Sequence, residues 1–133
     1  MKRISVIIAA ILLASVAAFA QKEFGEAVRF NTIVHDFGKV DTRDGAVSCT
    51  FTLTNISGEP LNIQAVTTTC SCTSATWTRS TIAPGEDGQV NVTFTNDEGP
   101  YPFDKTLNVY VSCLERPIVI HVKGTAFTGK KRK

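Results

Sequence analysis

Apolar and polar side chains alternate along most of the chain from Val28 onward. The alternation is clearest at residues 47–54, 90–95, 107–112 and 118–123, where apolar side chains fall on one face and mostly Thr, Asn, Ser or Lys on the other. A period of two residues is typical of a β-strand with one buried face, whereas a helix needs a period of 3.6. Because no window supports an amphipathic helix of useful length, we predict an all-β chain.

Turn-forming clusters of Gly, Pro, Asp and Asn separate these runs. They divide the chain into about seven predicted strands: Val28–Val34, Ala46–Asn55, Leu61–Thr68, Ala75–Thr78, Gln89–Thr95, Lys105–Ser112 and Pro117–Ala126. Short strands at this spacing predict an immunoglobulin-like antiparallel β-sandwich over residues 28–127. We find no internal repeat and no second domain.

The first 20 residues have the pattern of a Sec signal peptide. A basic start at residues 2–3 precedes an apolar stretch from Ile4 to Phe19, and alanine occupies positions 18 and 20. The apolar stretch is shorter than the ~20 residues that span a bilayer. We therefore expect cleavage after residue 20, export to the periplasm or beyond, and no stable membrane insertion of the mature chain.

The charge balance argues against a nucleic-acid partner. Removing residues 1–20 leaves 12 basic and 12 acidic side chains, and residues 130–133 hold four of the bases, so the remaining body has a net charge of −4. Binding to phosphates needs a clustered positive face. Residues 21–27 are predicted to be a polar leader, and residues 128–133 a basic tail that does not pack.

Four motifs follow one another along the chain. They are FG-x-V within His35–Val40, F-x-L-x-N with a following P-L-x-I within Phe51–Ile63, C-x-C-T at Cys70–Thr73 and I-x-P-G-E at Ile82–Glu86. Their order resembles the exported bacterial family called domain of unknown function 1573, over roughly residues 30–126. The resemblance implies a fold similar to major sperm protein, Hydin-type and PapD-type modules. It implies no catalytic residue, because the family has no established activity.

The sequence departs from the family pattern at three positions. Ser71 stands between the cysteines where glycine is usual, which restricts the backbone there. Cys49 and Cys113 lie outside the signature.

The four cysteines allow several pairings in an exported domain. Cys49 lies near the start of its strand, and Cys113 lies at the end of a strand that runs the same way. We therefore expect these two cysteines to be too far from each other to form a disulfide, and both to be reduced. For Cys70 and Cys72 four alternatives remain. They are a strained mutual disulfide, a bridge from Cys49 to one of them, free thiols, or a Cu or Zn site that His35 could reach. The C-x-C spacing without a following helix argues against a thiol–disulfide oxidoreductase.

Acidic and aromatic side chains supply the other candidate chemistry. The acids in or beside turns are interpreted as turn formers rather than as a glycosidase or calcium site; they are Asp36, Asp41, Asp44, Glu86, Asp87, Asp97, Glu98 and Asp104. Trp77, Tyr101 and Phe103 are candidates for a partner-binding surface, with packing against the core as the alternative for Trp77 and Phe103.

These observations favour a non-catalytic exported module that needs no cofactor and binds another envelope or extracellular protein. Binding would use strand addition at a sheet edge or contact through a polar β-face, because the second and fifth predicted strands carry flat, Thr-rich faces. The alternative is a Cu- or Zn-binding or redox-responsive protein that uses Cys70 and Cys72.

Overall fold

The computed structural model describes residues 24–129, so the predicted signal peptide, residues 21–23 and residues 130–133 lie outside it. The elements in chain order are α1 (Phe24–Ala27), β1 (Val28–Phe30), β2 (Val34–Asp41), a 3₁₀ turn (Thr42–Asp44), β3 (Val47–Asn55), β4 (Ile63–Thr68), β5 (Thr73–Trp77), β6 (Asp87–Phe94), β7 (Pro102–Val111) and β8 (Ile118–Phe127). No helix among the described residues is long and apolar enough to cross a membrane.

Residues 24–129 form two four-stranded sheets. One has the strand order β1-β3-β6-β5 and the other β2-β8-β7-β4. Neighbouring strands are antiparallel, except that β2 runs parallel to β8. This arrangement confirms the predicted immunoglobulin-like sandwich.

The extent of the first predicted strand was wrong, because the structure divides this part of the chain between β1 and β2. The described residues thus form eight strands, where about seven were predicted. Pairing of β1 ends at Phe30, which opposes Leu53 of β3. The chain then crosses to the second sheet, where the amide of His121 donates to the carbonyl of Ile33 at 2.8 Å. A register shift between Asp36 and Lys39 interrupts β2. This shift breaks the alternation of side chains, which is why the sequence pattern did not reveal the strand.

The inner faces of the two sheets form the main core. Its fully buried side chains belong to the predicted apolar faces; they include Phe51, Leu53, Val90, Val92, Leu107, Val109, Ile120 and Val122. The hydrophobic alternation therefore identified the core correctly.

A second, smaller cluster closes one end of the sandwich, which we call the cysteine end. It contains Val40, Cys72, Phe94, Phe103 and Ala126. The rings of Phe94 and Phe103 stack with centroids 4.1 Å apart and so join the two sheets. These residues carry the candidate site.

Candidate functional site

Cys70 and Cys72 lie in the loop from β4 to β5, where the chain passes from one sheet to the other. Their Cα atoms are 5.2 Å apart and their sulfurs are joined as a disulfide. The amide of Thr73 donates to the carbonyl of Cys70 at 3.3 Å and closes a tight turn. Cys72 is buried and Cys70 is half-buried, so the bridge sits at the rim of the cysteine end. Of the four alternatives, the structure contains the mutual bridge.

Cys49 and Cys113 are free thiols in the structure. Cys49 opposes Val92 of β6, and Ala75 of β5 opposes the same residue from the other side. Cys49 is thus two strand spacings, or about 9.6 Å, from β5 across the sheet, whereas a disulfide needs Cα atoms within about 7 Å. The intervening strand β6 is the reason that no bridge joins Cys49 to Cys70 or Cys72.

The Cys49 thiol is protected by its surroundings. Burial against the main core raises the pKa of Cys49 to about 11, because a thiolate is poorly solvated there. Only the thiolate reacts with alkylating reagents.

We therefore expect iodoacetamide at pH 8 to modify Cys49 roughly 100-fold more slowly in the folded protein than in the unfolded chain, because a pKa about two units higher lowers the thiolate fraction by that factor. Peptide mass spectrometry of a labelling time course measures this ratio. The rate measured for Cys49 in denaturant is the reference. Equal rates of modification in the folded and unfolded states would contradict the expectation.

Glu98, interpreted from the sequence as a turn former, lies beside the cysteines. Its Oε1 is 3.4 Å from the Sγ of Cys70, and its Oε2 is 2.9 Å from the Nζ of Lys105. A ligand atom of Cys70, one of Cys72 and one of Glu98 lie within 4.8 Å of one another. No sequence signal links Glu98 to the C-x-C motif, because the contact depends on how the β6–β7 loop folds over the cysteine end.

The prediction that His35 could act as a third ligand beside Cys70 and Cys72 was wrong. It lies on β2, at the opposite edge of the second sheet from β4, with β8 and β7 between them. Three strand spacings amount to about 14 Å. The His35 ring instead packs against Phe37, with ring centroids 4.6 Å apart.

The three aromatic candidates do not form one platform. Phe103 is only 8% exposed and stacks on Phe94. Its prediction as a partner-binding surface residue was therefore wrong, and it packs against the core instead. Trp77 is half-buried at the far end of β5, with the guanidinium of Arg79 4.0 Å above its ring. Tyr101 is 66% exposed and alone of the three presents its ring to solvent.

The outer face of the first sheet carries paired polar side chains. Ser48 and Thr93 share a hydrogen bond of 2.9 Å, and the hydroxyl of Thr50 donates to the side chain of Asn91 at 2.7 Å. At the far end the hydroxyl of Thr54 donates to Asp87 at 2.7 Å. These cross-strand pairs hold the predicted Thr-rich face as a regular surface of low charge.

Comparison with solved structures supports the same fold. A protein of unknown function from Porphyromonas gingivalis W83 has a TM-score of 0.65 at 18% identity, with 74% of this chain and 46% of that chain covered. The PapD-like domain 7 of human CEP192 gives 0.64 at 9% identity, covering 79% and 88%. The secreted serine protease VesC from Vibrio cholerae gives 0.58 at 14% identity, covering 76% and 23%. At these identities the likeness concerns the fold alone, and the chain spans less than half of the first of these proteins.

Comparison of the sequence with family models identifies the family. No curated protein matches the chain significantly. The model described as "Protein of unknown function (DUF1573)" matches residues 28–126, most of the chain and nearly all of the described part. The chain therefore belongs to the DUF1573 family of proteins of unknown function.

Proposed function

We propose that this protein is a non-catalytic, exported module that binds another envelope or extracellular protein by adding a strand of the partner to the edge strand β5. The single observation that carries the proposal is the character of that edge. β5 is an edge strand of the first sheet, and no strand of the described part pairs with its outer side. An open edge of this kind is a template for a further strand.

The other three sheet edges carry features that discourage strand addition. β1 has only three residues. β2 is interrupted by a register shift and carries Asp36 and Lys39, and β4 contains a second shift between Ile63 and Ala65. β5 pairs with β6 in continuous register and contains no charged residue and no proline. Bulges, charges and short length protect edges, so β5 is the least protected of the four.

The backbone of β5 offers specific groups to a partner. Hydrogen bonds from Thr95 N to Cys72 O and from Thr78 N to Gln89 O show that the even-numbered residues of this segment face β6. In an antiparallel ladder the backbone N–H and C=O groups of the residues in between point away from the paired strand. Ala75 and Trp77 therefore direct their N–H and C=O groups to the open side.

Replacing Ala75 by proline tests the proposal, because it removes one outward N–H and leaves the bonds to β6 in place. We expect at least tenfold less partner to be recovered in a pull-down from envelope extract than with the unaltered protein. Quantitative mass spectrometry of the captured proteins measures the loss.

Ser74→Ala is the matched control, since Ser74 lies on the same strand with an exposed side chain and its backbone faces β6. It should capture as much partner as the unaltered protein, and a thermal melt should show that both variants are folded. Undiminished capture by the proline variant would refute strand addition at β5. Loss of capture in the serine variant alone would place the contact on the polar face instead.

The proposed export rests on the N-terminal sequence. The disulfide between Cys70 and Cys72 supports it, because such bonds persist in oxidising compartments. The folded body's excess of acids supports a protein partner rather than a nucleic acid.

A further inference from the structure

We propose that reduction of the Cys70–Cys72 disulfide creates a binding site for one Zn²⁺ ion, held by the two thiolates and by Oε1 of Glu98. The three residues come from two separate loops, β4–β5 and β6–β7, that meet at the cysteine end. Their ligand atoms already lie within 4.8 Å of one another. This site is independent of the proposed strand binding.

The spacing of the ligand atoms fits zinc. Zn–S and Zn–O bonds of ~2.3 and ~2.1 Å at tetrahedral angles place a sulfur and an oxygen ligand about 3.6 Å apart. Sγ of Cys70 and Oε1 of Glu98 are 3.4 Å apart. Two sulfurs on one zinc ion lie about 3.8 Å apart, and cysteines whose Cα atoms are separated by 5.2 Å can reach that spacing once their bond is broken.

Neighbouring groups are placed to stabilise the thiolates and orient the carboxylate. The amide of Cys72 donates to Sγ of Cys70 at 3.2 Å, and the hydroxyl of Thr73 lies 3.4 Å from Sγ of Cys72. Hydrogen bonds to a thiolate favour its charged form. Lys105 holds Oε2 of Glu98 and leaves Oε1 towards the sulfur. Such outer contacts are typical of metal sites, where they fix the orientation of the ligands.

The charge balance and the ligand types select Zn²⁺ over Cu⁺. Two thiolates and one carboxylate carry three negative charges, which Zn²⁺ and the ammonium of Lys105 balance. Cu⁺ would leave one negative charge and prefers sulfur ligands alone. Three protein ligands leave the fourth position open on the solvent side, because Glu98 is exposed and Cys70 is half-buried.

The chemistry requires a reductant, which we assign to the dithiol class. The dithiol transfers two electrons and two protons to the Cys70–Cys72 bond, giving two protein thiols and the oxidised, disulfide form of the reductant. Zinc binding then displaces the two thiol protons into solvent. Reoxidation by a disulfide would re-form the protein bridge and release the ion.

Calorimetric titration of the purified protein with Zn²⁺ tests the site, with Co²⁺ absorption spectra to detect thiolate ligands. The Cys49→Ser/Cys113→Ser variant is used so that only the two site cysteines remain. In reduced form it should bind one ion per chain, and in disulfide form none. We expect Glu98→Gln to weaken binding at least tenfold, because one of the three ligands is lost.

Two further variants serve as controls. Glu59→Gln removes an exposed acid from the loop at the other end of the sandwich and should bind zinc normally. Cys70→Ser/Cys72→Ser should bind none, and the oxidised form gives the same test without a mutation. The proposal is overturned if the reduced protein takes up no Zn²⁺, if uptake persists in the oxidised form, or if Glu98→Gln binds as tightly as the parent.

Discussion

Replacing Phe94 by alanine is expected to lower the free energy of unfolding by about 3–5 kcal/mol. Phe94 is 2% exposed, belongs to β6 of the first sheet and stacks on Phe103 of β7 in the second. Its removal leaves a cavity between the sheets in the small cluster at the cysteine end, where few other apolar side chains can move in. Chemical denaturation followed by circular dichroism measures the change.

Tyr101→Ala provides the matched comparison, because it removes an aromatic ring from the same end of the molecule at a site that is 66% exposed. We expect this variant to change the free energy of unfolding by less than about 0.5 kcal/mol. Similar losses for the two variants would show that the stacked pair does not hold the sheets together.

Replacing Asn55 by alanine is expected to cost about 2–4 kcal/mol, from four hydrogen bonds of roughly 1 kcal/mol each, offset in part by water reaching the exposed partners. Asn55 is 1% exposed at the end of β3. Its side-chain Nδ2 donates to the backbone carbonyls of Glu59 and Ile82 at 2.6 and 2.9 Å. Its side-chain Oδ1 accepts from the backbone N–H and the hydroxyl of Ser57 at 2.9 and 2.7 Å.

The control for this variant is Asn62→Ala, because Asn62 is exposed on the chain that leads into β4. It should be nearly neutral in the same denaturation experiment. A loss below about 1 kcal/mol for Asn55→Ala would mean that water replaces these bonds without penalty and that Asn55 does not organise the loop.

The backbone of Asn55 also links separate sequence motifs at this end of the sandwich. Asn55 N donates to Glu86 O, and Gly85 N donates to Asn55 O. Leu61 and Ile82 exchange hydrogen bonds of 2.8 and 3.0 Å. The F-x-L-x-N, P-L-x-I and I-x-P-G-E motifs therefore meet at the end of the sandwich opposite the cysteines. Their hydrogen bonds hold the loops at that end together, whereas the C-x-C motif lies at the cysteine end.

The sequence alone determined the all-β class, most of the strands and the faces that form the core, although it did not reveal β2. Alternation is a local property, since a strand with one buried face must place an apolar side chain at every second position. For this reason Phe51, Leu53, Val90 and Val92 could be assigned to the interior without coordinates. The net negative charge of the body of the chain likewise follows from its composition alone.

Only the tertiary structure decided which distant residues meet. The order of strands places β6 between Cys49 and the C-x-C loop and puts His35 at the edge of the second sheet opposite β4. The fold of the β6–β7 loop brings Glu98 beside Cys70. Alternation cannot encode these relations, because the same two-residue period permits many strand orders and says nothing about how a loop folds back. The physical reason is that the order of the strands is selected by the packing of the whole core, to which each strand contributes only one face.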